Sequence, residues 1–255
     1  MQLWTAEHAR TLPPALLVMV ALSLALRHFL KDKDGKIRMI PFQIITCLLL
    51  LLEVGKQGLS FARGYDLYHI PLHFCSLFLF VYPAASFYRG QHRQAVWSVT
   101  AGISAAVFLL MLIYPNLIYS PGNISNYFGD FFDFHTVTFH NLVMLGFLLI
   151  PALELHVPGE KGEARYVFWF MVAFSCVAAV MAQVLKTNFA NFYSCNIPIF
   201  ETLRTVVQPV IGYVFTQLIY VLCVAALQTA FTVGAYFVYR ILARVALRER
   251  RKVTS

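Results

Sequence analysis

The sequence predicts an all-α membrane protein: a bundle of seven transmembrane helices, N-terminus outside and C-terminus cytoplasmic. Three observations carry this. Of 255 residues, 59% are hydrophobic and 13% charged, with a mean hydropathy of +0.67, whereas a soluble domain carries about 25% charged residues. Apolar runs long enough to cross a hydrocarbon core of ~30 Å recur along the chain. Lysine and arginine concentrate in alternate loops, as an odd number of crossings requires. No polar stretch is long enough for a second domain, so residues 1–255 read as one integral membrane domain.

The first span, about 12–30, follows MQLWTAEHAR and ends in LRHFLKDKDGK without a small-x-small cleavage site. It reads as a retained helix and not as a cleaved signal. The next five spans are about 38–60, 69–88, 94–115, 134–155 and 164–186. The last apolar run, 208–242, would be roughly 50 Å long as a helix. That exceeds one upright crossing and falls short of two, so one tilted helix running into a basic end is expected. Gly212 and Gly234 lie near its ends.

The first, third and fifth loops and the C-terminus carry fifteen of the twenty Lys and Arg residues. Arg10, Lys56, Arg63, Lys186 and Arg204 are the other five. This bias sets the orientation. The net charge of +8 points to anionic lipid at the tail RILARVALRERRKVTS and not to nucleic acid. The five cysteines show no CxxC and no zinc spacing. Those inside apolar runs act as small hydrophobes, and a Cys75–Cys195 bridge depends on whether the fold brings the two together.

The polar residues of the spans fall at one level, the extracytoplasmic half. These are Glu53 and Lys56 in span two, and His69, His73, Cys75 and Ser76 in span three. Span five contributes His135, Thr136, Thr138, His140 and Asn141. Gln183, Lys186, Asn188 and Asn191 end span six, and Gln208 opens span seven. The inner half offers little beyond Gln43. Such residues are costly unless they face a bundle interior or a cavity, so a polar pocket is expected.

Helical spacing refines the picture. Glu53 and Lys56, three apart, can pair; that pair can equally be a structural staple. His69, His73 and Ser76 share a face if span three is helical, while Cys75 points away from His73. A partner for His73 must then come from another helix, with His135 or His140 the natural candidate. His69 and His135 read as interfacial. The sequence has no G-x-S-x-G, H-E-x-x-H or P-loop, and no metal or cofactor is expected.

The stretches LLLLLEVGKQ, IPLHFCSLFLF, FHNLVMLGFLLIPAL and TNFANFYSCNIP, with MQLWTAEH at the start, resemble the YwaF-like family of bacterial integral membrane proteins. The resemblance spans nearly the whole chain. It departs at Ile70, where Leu is usual, and in NFYSCNIPIFETLRTVVQP. It implies a multi-span cell-membrane protein similar to eukaryotic lipid acyltransferases, with His73 as the matching histidine.

Three functions remain open. In an acyltransferase or lipase-like enzyme, His73 or His140 is the general base and Cys75 an acyl carrier if it reaches His140. Lys56 or Asn141 binds the oxyanion, and Glu53 orients its neighbours. Ser76, Asn188 and Asn191 support the pocket. In a proton-linked transporter, Glu53, His73 and His140 form the ion or substrate site, although no two-half symmetry is visible. In a sensor or assembly factor, the polar contacts are structural.

Overall fold

The computed structural model describes residues 3–159, 162–194 and 198–254, with 198–200 and 245–254 described by backbone alone. Every element among these residues is helical: α1 (Ala6–Leu30), α2 (Gly35–Ala62), α3 (Phe78–Phe87), α4 (Arg93–Ile113), α5 (Pro121–Ser125), α6 (Phe131–Ala152), α7 (Ala164–Leu185), α8 (Pro198–Ile211) and α9 (Tyr213–Thr254). Six of them, α1, α2, α4, α6, α7 and α9, are long and apolar enough to cross a membrane. This is the build of a multi-pass membrane protein. Leu17, Val54, Val184 and Val214 project outward from four of these helices, as lipid-facing side chains do.

α1 and α6 run one way along the bundle, and α2 and α4 run the other. One end of the bundle, here the first end, gathers the start of α1, the end of α2 and the start of α6. The opposite end gathers the end of α1, the start of α2 and the end of α6. Arg63–Asp130 ties the first end and Arg38–Glu154 the opposite one.

α4 is the central helix. It buries Trp97 through Val107 without a break, a run rich in Ala, Gly and Ser. In lipid, helices associate by close packing and interhelical hydrogen bonds, which small residues permit. Tyr82 of α3 donates to the Val143 carbonyl of α6 at 3.0 Å and meets Ser104 Oγ of α4 at 3.2 Å. Thr100 of α4 donates to the Val81 carbonyl at 3.2 Å. Gly146 makes the first of these contacts fit, because a Cβ there would lie 2.7 Å from the Tyr82 ring.

Two of the expected spans differ in form. Span three is not helical from residue 69. Two 3-10 turns, Leu67–His69 and Phe74–Leu77, precede the ten-residue α3. Pro71 is the reason: it has no N–H to donate, and it holds Ile70 extended at φ −58°, ψ 131°. The last run is broken at Gly212, whose φ of +81° starts α9 in a new direction. Residues 208–211 therefore belong to α8, and the glutamine buried at the start of α9 is Gln217. α8 exposes Leu203, Val206 and Val210 on one stripe, while Arg204 turns to Glu201 and Gln217.

Gly146→Ala should push the Tyr82 ring off its two partners and destabilise the fold by about 1–3 kcal/mol. Thermal unfolding in detergent would register this as a lowered Tm. An unchanged Tm would show that Tyr82 is free to move.

Candidate functional site

At the first end, α2 presents Glu53, Lys56, Gln57 and Ser60, spaced three, four and seven residues from the carboxylate and so on one face. Glu53 is buried. Its Oε2 takes the Lys56 ammonium at 2.8 Å and its Oε1 accepts from Gln57 Nε2 at 2.6 Å. His135 of α6 brings Nε2 to 3.4 Å from Oε2. The pairing of Glu53 with Lys56 is thus as the spacing allows. His135, in contrast to its interfacial reading, is buried in the bundle against the carboxylate.

A second layer covers this stripe. Gln57 Nε2 also donates to the His69 carbonyl at 2.7 Å, and its Oε1 accepts from Tyr65 OH at 3.0 Å. Ser60 Oγ, buried, lies 2.6 Å from His69 Nδ1. The His69 ring stacks on Phe132 with centroids 4.7 Å apart. His69 is therefore fixed through its backbone, its ring face and one ring nitrogen. Sequence reasoning missed Gln57 and Ser60, although both continue the helical face that Glu53 and Lys56 begin.

His140 donates from Nδ1 to the Thr136 carbonyl at 2.7 Å. Nε2 of the neutral ring is then a bare acceptor. It is buried without a partner, as is Asn141 Oδ1. Buried polar atoms are nearly always bonded, so these two acceptors on α6 stand out as unmet.

The remaining candidate residues serve a different purpose. His73 is neither on a helix face with His69 nor in contact with His135 or His140. Its Nε2 donates to the Tyr68 carbonyl at 2.9 Å, and its ring packs on Tyr68 and Phe189. Ser76 is buried in the turn that follows, and Cys75 is a free thiol there with no base in contact among the described residues. Asn188 Oδ1 accepts the amides of Tyr193 and Ser194 at 3.3 and 3.1 Å. Asn191 adopts a left-handed φ of +63°, as do Lys186 and Ala190 beside it. The carbonyls of this bend are taken by helix side chains. Gln228 bonds Ala190, Tyr220 bonds Asn191, and Gln183 and Gln217 share Phe192. These residues therefore hold irregular backbone in place. Cys195 lies outside the described residues, so its distance from Cys75 has no structural account. Among the described residues, no three His, Cys, Asp or Glu side chains gather closely enough to hold a metal ion.

The opposite end corrects the expectation that little polar lies there. Glu163, at the start of α7, is buried. It accepts from Tyr236 OH at 2.5 Å, Gln94 Nε2 at 2.8 Å and the Gly159 amide at 3.1 Å. Burial alone would raise its pKa, but these donors hold it below the usual range. His156 lies between Trp97 and Tyr239, nearly parallel to both, with neither ring nitrogen bonded. Burial pushes its pKa down to about 4, against the opposing pull of Glu163. Both residues stand in a stretch that reads as a solvated loop, and no periodicity marks them as buried.

Two predictions follow from the two clusters. Glu53→Ala leaves the Lys56 charge buried and unpaired, and should cost about 3–5 kcal/mol. The Glu53→Ala/Lys56→Met double variant should recover most of this in a double-mutant cycle read by thermal unfolding. His156 is neutral when folded, with a pKa depressed from an unfolded value near 6.5. Its contribution is whole above that value and is lost as pH falls toward about 4. Tm in detergent should drop between pH 7 and 4.5, and His156→Phe should flatten that part of the profile.

No family model, curated protein or solved structure matches this chain.

Proposed function

We propose that the chain crosses the cell membrane seven times, N-terminus outside, with the 67–87 segment as the shortest crossing. On this reading the first end is extracytoplasmic, and the Glu53 site acts on acyl esters of membrane lipids by hydrolysis or transfer. The observation that carries it is the Ser60 Oγ–His69 Nδ1 contact of 2.6 Å. It is the nucleophile–base geometry that acyl transfer needs. His69 thus takes the role that the resemblance gives to His73, and Cys75 has no part in it.

The chemistry is economical. His69 Nδ1 takes the Ser60 proton as Oγ adds to the ester carbonyl. The collapsing intermediate expels the lysolipid oxygen, which takes that proton from His69. Water or an acceptor hydroxyl then releases the acyl group from Ser60, with His69 as base again. Glu53 acts at a distance: through Gln57 it fixes the His69 carbonyl, and so the ring.

A second reading draws on a different observation. Two irregular segments, 66–77 and 186–194, lie at the same end of the bundle, and broken helices often build transporter sites. Glu53, Lys56 and His135 would then handle a proton coupled to a solute.

Reconstituted protein with acyl-labelled phospholipids, followed by mass spectrometry, separates the two. Enzymatic turnover should fall by about 10²–10⁴-fold in Ser60→Ala and in His69→Ala. His73→Ala and Cys75→Ala should keep their activity. Absence of turnover across a varied lipid panel, with solute uptake driven by a pH gradient, would replace the enzyme by the carrier.

A further inference from the structure

At the opposite end, α1, α2 and α6 enclose a shallow pocket lined by Arg27, Lys31, Arg38, Ala152, Leu153 and Glu154. Arg27 and Lys31, four apart, share the last turn of α1 and the residue after it. Arg38 comes from the first turns of α2. Three cations from two helices thus converge on the C-terminus of a third.

The simplest account is that they serve that terminus. Arg38 does so: it donates to the Leu153 carbonyl at 3.4 Å and pairs with Glu154 at 3.2 Å. Glu154 itself sits at a left-handed φ of +54°. The charges do not balance, however. Against three positive charges stand one carboxylate and about half a charge from the α6 dipole, leaving roughly +1.5 in the pocket. The C-terminal end of α1 and the N-terminal end of α2 offset each other. In the hairpin between them Asp32 and Asp34 are matched by Lys33 and Lys36, all four exposed.

Two further facts point to a ligand. Arg27 and Lys31 form no ion pair among the described residues, although Arg27 is half-buried. Arg38 Nε is a buried donor without an acceptor. A group with several acceptor oxygens and negative charge would satisfy both, and phosphate is that group. We infer that this pocket binds the phosphate of an anionic phospholipid, with the acyl chains running along the apolar flanks of α1 and α2. Leu24, Ile37 and Ile40, exposed beside the basic residues, supply that apolar surface. A lipid therefore suits the site better than a free phosphate ester. This site is separate from the Glu53 cluster and does not depend on its chemistry.

Native mass spectrometry of the purified full chain in detergent tests it, with phosphatidylglycerol and phosphatidylcholine as probes. Phosphatidylglycerol should be retained in preference. Arg27→Ala/Lys31→Ala should weaken its retention by about thirtyfold and leave phosphatidylcholine unchanged. The charge-conserving Arg27→Lys/Lys31→Arg exchange should bind as the unaltered protein does. So should Arg248→Ala/Arg250→Ala/Arg251→Ala in the tail. Should the double alanine variant unfold, the exposed Lys31→Glu alone serves the same comparison. Undiminished retention in the pocket variants, or loss only in the tail variant, overturns the proposal. Displacement of the lipid by an equal concentration of glycerol 3-phosphate overturns the lipid assignment in favour of a free phosphate ester.

Discussion

The governing constraint is that backbone amides and carbonyls in a hydrocarbon setting must find partners within the protein. Helices meet this by themselves, and most of the chain is helical. Irregular segments such as 66–77 and 186–194 do not, and the placement of many polar side chains follows from them. Gln57 and His73 serve carbonyls of the first segment. Gln183, Gln217, Tyr220 and Gln228 serve the second. A glutamine in a greasy helix is thereby explained without any ligand, as the partner of a carbonyl that a helix would have bonded itself.

Once those partners are assigned, a short set of groups remains whose presence the backbone does not require. Glu53 and Lys56 neutralise each other, His135 leans on the carboxylate, and His140 and Asn141 each hold a buried acceptor toward no donor. Ser60 and His69 bond to each other. Of the histidines in IPLHFCSLFLF and just before it, only His69 belongs to this set. The fold separates the two histidines by turning His73 to its own chain.

Much of the helical plan was legible because membrane helices announce themselves by length and apolarity. Local conformation was less legible. Pro71 ought to have cancelled a helical reading of 69–77, since the residue before a proline disfavours helix, and with it the shared face of His69, His73 and Ser76. The Glu53–Lys56 pair came directly from three-residue spacing, and extending that face to Gln57 and Ser60 needed only one more turn. His156 and Glu163 were not legible at all. Their burial comes from Trp97, Tyr236 and Tyr239, which belong to helices far away in the chain.

The bend at 186–194 also constrains the order in which the molecule is assembled. Lys186, Ala190 and Asn191 hold left-handed backbone, a conformation that costs energy for residues with a side chain, least for asparagine. Phe189 and Phe192 are fully buried beneath it. Four of the five hydrogen bonds from Gln183, Gln217, Tyr220 and Gln228 that hold it come from α9, which is synthesised afterwards. Until α9 enters the bilayer, this stretch has reason to stay among hydrated headgroups. α9 therefore completes the support of this bend, and an interruption of synthesis before residue 217 leaves it, among the described residues, with only Gln183 and Asn188 as side-chain partners.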